Sequence, residues 1–357
     1  MKLRKRTMAF AALAVVAVTV AVTATVAGAA GTSAAHKKAN GPWTIGLSNG
    51  YYGNGARVQL EAEVKAYVAL PSVKSKVKKL IINNAGTSVA AQIAAVDGMI
   101  AQKVDAIILD SNSETGLNAT IAAAKKAGIV VVAANDRVSS KDAVQIETVG
   151  EKFGAAGMTG FVKLLHGKGN IVILRGLPGN AVDAAEAAGF HSVLKKNPGI
   201  KVLNESYGKW DDGEAQKVMA DLLSRYNNID GVFTEGGMQQ VVVRAYVAAK
   251  KKFVPVAGTD ENGFSCQLKK YSGQGLQGVQ VGSALYADAL ATKTALDILG
   301  GKKIAGGTTV PVAWEVWNTA QAISHCNPSY SPSLFLGVSN AKAGVNLTPQ
   351  QVLKFMK

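Results

Sequence analysis

The chain has 357 residues, too many for one average domain and enough for two, and its 48% hydrophobic and 18% charged content is that of a globular protein. Its formal charge of +15 falls to +11 once Lys2, Arg4, Lys5 and Arg6 of the N-terminal segment are set aside. The other lysines and arginines are dispersed along helix faces, as in VKSKVKK (73–79) and AKKKF (249–253), so they read as solvated surface and no nucleic-acid partner is expected.

MKLRKR opens the chain, an Ala/Val-rich run follows from residue 8 to about 30, and small residues such as Ala27-Gly28-Ala29 offer exit sites. A basic head, an apolar middle and a small-residue exit describe a secretory signal peptide over residues 1–35. The run is long enough to span a bilayer, so a retained anchor is the alternative. No cysteine stands near the exit, which argues against a lipid anchor. The mature chain is expected to be soluble and exported, to the periplasm or the extracellular space.

From Trp43 onward, short β-branched runs alternate with helical stretches. WTIGL, KKLIIN, DAIIL, IVVVA, NIVIL, KVLNE, GVFTE, VPVAG and LQGVQV read as strands. Ala-rich segments of helical period lie between them, such as AAQIAAVDGMIAQ (90–102) and TIAAAKKAG (120–128). Pro71 and Pro198-Gly199 punctuate the joins. The strands lack clean alternation, as expected when both faces of a parallel sheet are covered. Strand–helix repetition on this scale predicts an α/β fold of two doubly wound parallel-sheet lobes.

Ligands of such sheets bind beyond the carboxyl ends of the strands. Those ends carry Asn49-Gly50-Tyr51-Tyr52, Asn135-Asp136-Arg137, Glu235-Gly236-Gly237 and Thr259-Asp260-Glu261-Asn262. Amides, carboxylates and guanidinium groups pair well with adjacent hydroxyls. Each residue alone is equally a turn former or helix cap; their recurrence with aromatics points to a cleft for a polar ligand. An enzyme is not expected: there is no phosphate loop, no G-x-G-x-x-G after the first strand, no G-x-S-x-G elbow and no H-E-x-x-H. The four histidines lack metal-ligand spacing, so neither metal nor cofactor is expected. The cysteines are two, Cys266 and Cys326; in an oxidising compartment one disulfide is expected, against the alternative of two buried thiols.

The motifs have a recognisable order. An aromatic pair, Tyr51-Tyr52, follows the first strand; NDR (135–137) follows the fourth; then come KWDDGEA (209–215) and AGTDENG (257–263). From about Trp43 to Trp317 the chain resembles the periplasmic sugar-binding proteins of ABC importers, the ribose-binding-like family. The resemblance implies two lobes of periplasmic-binding-protein type I, residues 41–148 with 281–310 and residues 149–280 with 311–357, joined by a three-strand hinge. It implies an aromatic clamp at Tyr51 or Tyr52, hydroxyl contacts from Asp136, Arg137 and Asp260, and Trp210 closing over the ligand. Asn49, Asn262 and Gln280 are further contacts, and Arg57 either points to the cleft or lies on a helix face. It also puts both cysteines in one lobe, where a bridge would tie the C-terminal tail to a helix.

There are departures. Residues 175–190 carry Ala184, Ala185 and Glu186 where relatives place an arginine shortly before Gly-Phe, with Asp183 left to take over a contact. Glu235 stands where relatives place Asn or Asp, and Thr259 replaces an aromatic. The implied function is capture of a sugar or polyol by a monomer and delivery to a membrane permease. The alternative is a receptor module of the same fold serving a sensor kinase or chemoreceptor.

Overall fold

The computed structural model describes residues 41–147 and 150–356; the proposed signal peptide lies outside them. Among the described residues, twelve strands fall in two sheets. The first contains β1 (Trp43–Asn49), β2 (Val77–Asn84), β3 (Ala106–Asp110), β4 (Val130–Ala133) and β5 (Val144–Ile146). The second contains β6 (Gly169–Arg175), β7 (Ile200–Tyr207), β8 (Gly231–Thr234), β9 (Val256–Thr259) and β10 (Gly278–Val281). The chain then adds an edge strand to each, β11 (Thr309–Val310) and β12 (Val316–Trp317). The orders are β11-β5-β4-β3-β1-β2 and β12-β10-β9-β8-β6-β7. All pairs are parallel except β10 with β12. Each expected strand is present. β5, β11 and β12 are two or three residues long, too short to leave an apolar run in the sequence.

The two-residue period of a strand places alternate side chains on opposite faces. In β3, Ile108 joins a core with Ile45, Leu47 and the helix Ala287–Leu299, while Ile107 and Leu109 join one with Met99 and Ile121. In β6, Val172 and Leu174 face Met219 and Val242, while Ile171 and Ile173 face Phe161 and Phe190. Helices therefore cover both faces of both sheets, which explains why these strands are apolar throughout.

The tail departs from the expected division. Val338, Val345, Leu347 and Val352 are buried in the first lobe's core beside Ile45 and Tyr286. Their apolar side chains complete that core, so the segment assigned by resemblance to the second lobe crosses back to the first.

A disulfide links Cys266, on the helix Asn262–Tyr271, to Cys326, just past the helix Thr319–Ser324. It closes a sequence separation of 60 residues. Removing this constraint on the unfolded chain, as in C266A/C326A, is expected to cost about 2–4 kcal/mol. Urea unfolding of the double variant checks this; an unchanged midpoint would mean that the bridge adds no stability.

Candidate functional site

The two lobes enclose a cavity of about 520 Å³. Its walls come from the start of the helix Gly55–Val68, from Asn135 after β4, from Ser283 and Leu285 where the chain passes between lobes, and from the second lobe's strand ends. The tail adds Pro332, Ser333 and Phe335.

On the first lobe the central group is Arg57. Asn54 caps its helix by accepting from the Arg57 amide, which fixes the first turn over the cavity. The guanidinium lies 2.6 Å from Asp136 and 3.6 Å from Asp110. Burial opposes its charge, but Asp136 and Asp110 outweigh burial and hold its pKa above the usual arginine value. Asp110 and Asp288 form a buried carboxyl pair behind it. Burial and the neighbouring Asp288 hold Asp110 well above the carboxylate range, and burial raises Asp288 to about 7.

On the second lobe Arg175 binds Asp183 at 2.6 Å and Glu205 at 2.8 Å, with Glu235 at 3.7 Å. Glu235 accepts from the Gly176 amide at 2.7 Å. Burial, then the charge of Glu186, pushes Glu235 up to about 10. Glu186 reaches the cavity itself, and burial, then Asp183, raises it to about 8. Its helix, Ala181–Leu194, lies so close to the helix Glu151–Leu164 that a Cβ at Gly154 would overlap the Glu186 backbone carbonyl; glycine is required there. Glu261 also lines the cavity, accepts from Gln240 at 2.9 Å, and is raised by burial to about 8.

The apolar part of the wall combines aromatic and aliphatic side chains. Trp210 and Phe153 line it from the second lobe, Leu60 and Leu285 from the first-lobe side, and Phe335 from the tail. Trp210 has φ of 51° and lies over Gly176 and Gly236, where a Cβ would overlap the indole. The glycines after β6 and β8 thus make the seat for this ring.

Among the residues singled out from sequence, Trp210 lines the cavity directly. Asp136, Asp183 and Glu235 are buried one layer behind, bonded to Arg57, Arg175 and the Gly176 amide. Four others are corrected to structural roles. Asn49 is buried and donates to Asn84 at 2.9 Å across the β1–β2 ladder. Asp260 accepts from the Ser283 and Gly337 amides. Asn262 donates to the carbonyls of Asn327, Tyr330 and Ser331, clamping the tail. Gln280 is buried between Ser265 and the carbonyls of Thr259 and Glu261.

Arg137 is also corrected. Asn135 has φ of 55°, which turns Asp136 inward and Arg137 outward to 81% exposure, 3.9 Å from Glu114. The guanidinium in the cavity wall on this lobe is that of Arg57. Tyr51 and Tyr52 are half-buried and neither lines the cavity; residues 53–57 do. Phe153, Gln240, Arg244 and Phe335 were not singled out. Phe153 carries an ordinary helical apolar signal, and the tail carries no periodic signal at all.

Among the described residues no group of three or more His, Cys, Asp or Glu side chains is arranged to hold a metal ion, and no helix is long and apolar enough to cross a membrane.

Residues 45–303 match the periplasmic binding protein domain, and the chain belongs to that family. It is 34% identical over 185 residues to the xylitol-binding protein of Mycolicibacterium smegmatis, covering 51% of this chain and 53% of that protein. The chain thus matches about half the length of that relative. It is 24% identical over 275 residues to the ribose import binding protein RbsB of Bacillus subtilis, covering 76% of this chain and 87% of the relative. Among solved structures, an ABC transporter solute-binding protein from Bacillus halodurans with bound myo-inositol aligns with a TM-score of 0.68 at 22% identity, over 80% of this chain and 98% of that one. The fructose-binding periplasmic domain of a hybrid two-component system aligns with a TM-score of 0.63 at 20% identity, over 78% and 92%. At these identities the structural likeness is one of fold.

Proposed function

We propose that the mature protein captures a sugar or polyol in the cavity between its lobes, closes around it, and delivers it to the permease of an ABC importer. The observation that carries this is a cavity with aromatic faces, Trp210 and Phe153, beside polar groups from both lobes, Arg57, Glu186 and Gln240. Aromatic faces suit the C–H face of a ring or polyol chain, and charged groups suit its hydroxyls. A volume of about 520 Å³ lies in the range of small-molecule sites. Because both lobes contribute, a ligand touching both favours the closed arrangement, which is what closure needs. In this reading residues 1–35 are the export signal, the protein is monomeric outside the cytoplasm, and Asp136, Asp183 and Glu235 orient the groups that touch the ligand.

Binding is expected to raise the melting temperature with ligand concentration. The panel is xylitol, ribose, fructose and myo-inositol, each against purified chain without the leader. Trp210→Ala should weaken the affinity of the best binder about ten-fold or more, from loss of a buried ring contact, while the ligand-free melt stays close to wild type. No rise with any member would count against the proposal. The likeness to a two-component sensor domain favours one second reading, a receptor module. Deletion of the gene separates them: transport requires loss of ligand uptake, whereas sensing requires loss of a ligand-dependent response with uptake intact.

A further inference from the structure

Resting on the reading of the cavity as a polyol site, we infer that the ligand carries a protonated amine beside its hydroxyls, as in an amino sugar or amino polyol, with Glu186 as its carboxylate partner. The cavity wall is unbalanced in charge. Its two arginines are already engaged: Arg57 by Asp136 at 2.6 Å, and Arg244 by Asp212 at 2.6 Å. Two buried carboxyls remain in the wall, Glu186 and Glu261. Glu261 has the Gln240 amide as a donor. Glu186 is 6% exposed and has no hydrogen-bond partner and no ion-pair partner among the described residues.

The groups around Glu186 make the deficit worse. Asp183 precedes it on its own helix, and Glu235 approaches from the end of β8. Arg175, from β6, is bound to Asp183 and Glu205 and lies 3.7 Å from Glu235. From the packed helix Glu151–Leu164, Lys152 turns away to Glu147 at 3.4 Å.

A buried carboxyl without a counter-charge either keeps its proton or receives a cation. Without ligand Glu186 keeps its proton to about pH 8, through burial and then Asp183. A neutral hydroxyl only replaces one hydrogen bond to water by another. An ammonium group makes a charge-assisted bond to the carboxylate, and the rings of Phe153 and Trp210 in the same wall tolerate a cation on their faces. At neutral pH the exchange balances simply: Glu186 releases its proton to solvent, and the ligand nitrogen keeps all of its own.

The test is isothermal titration of the mature chain at pH 7 in phosphate and in MOPS, whose ionisation enthalpies differ and neither of which is an amino polyol. The probes are glucosamine, galactosamine and 1-amino-1-deoxysorbitol, each paired with glucose, galactose or sorbitol. At least one amine should bind about ten-fold or more tightly than its parent, with net release of close to one proton. Glu186→Gln, an isostere of the protonated form, should bring the amine-to-parent affinity ratio to about one and remove the proton release, whatever it does to the parent's own affinity. Parents binding as well as amines, or an amine preference that survives in E186Q, would overturn the inference and leave the polyol reading standing. If neither amines nor parents bind while xylitol, ribose, fructose or myo-inositol does, the inference falls and the polyol reading stands; if none of either set binds, both fall.

Discussion

Replacing Arg57 with alanine is expected to destabilise the fold by about 3–5 kcal/mol, the range for removing one partner of a buried ion pair. The Arg57 side chain is 14% exposed, Asp136 is 11% exposed and Asp110 is fully buried. Asp288, also fully buried, adds a further carboxyl to the same pocket. Truncating the guanidinium leaves all of them without a cation. The loss should be mostly this uncompensated charge, not the removed contact, so a second substitution should return part of it. R57A/D136N is expected to be more stable than R57A alone, giving a favourable coupling in a double-mutant cycle. R57K should fall between wild type and R57A, because an ammonium restores charge but not the forked geometry. Urea midpoints of the four variants decide this. A cost below about 1 kcal/mol would place the pair among solvated ion pairs. R57A should also abolish the ligand-induced rise in melting temperature, since Arg57 lines the cavity.

The same residue shows how far the sequence could be read. The sheets were legible because Ile107, Ile108 and Leu109 of β3, and their counterparts in β6, form unbroken apolar runs with no other reading. Trp210 was legible through KWDDGEA (209–215), where the resemblance places an aromatic before an aspartate. Arg57 and Arg137 were not separable. Both follow polar turns, and which one enters the cavity depends on the positive φ of Asn135 and on the Asn54 cap, neither of which a motif encodes. Asp260, Asn262 and Gln280 looked like ligand groups because their types match. Asp260 and Asn262 instead satisfy backbone groups of Ser283 and of residues 327–337, a tail with no periodicity of its own, and Gln280 donates to the carbonyls of Thr259 and Glu261. That tail is held by bonds to both lobes: Gln59 exchanges two hydrogen bonds with the Phe335 backbone, while Asp260 holds the Gly337 amide. Glu186 was visible as a departure from the expected arginine, but its meaning needed the geometry of Asp183, Arg175 and Glu235 around it.

Those buried carboxyls also fix the direction in which stability changes with pH. Glu186 and Glu261 are raised from 4.5 to about 8, and Glu235 from 4.5 to about 10, in each case first by burial. Each therefore binds its proton more tightly in the folded chain than in the unfolded one. Below about pH 4.5 both states hold these protons and the stabilising contribution is complete. Above that, the unfolded chain releases protons that the folded chain keeps, so stability falls as pH rises toward 8. One carboxyl held protonated to about pH 8 loses on the order of 4 kcal/mol across this window. The ligand-free protein is thus expected to melt at a higher temperature at pH 5.5 than at pH 8. E186Q should flatten the profile up to about pH 8, because its amide has no proton to lose, and E235Q should flatten it from about pH 4.5 upward. Urea unfolding at pH 5.5, 7 and 8 checks both slopes. A stability that rises between pH 5.5 and 8, or an E186Q profile parallel to wild type, would mean that Glu186 stays charged in the folded chain, with a cation or water already beside it.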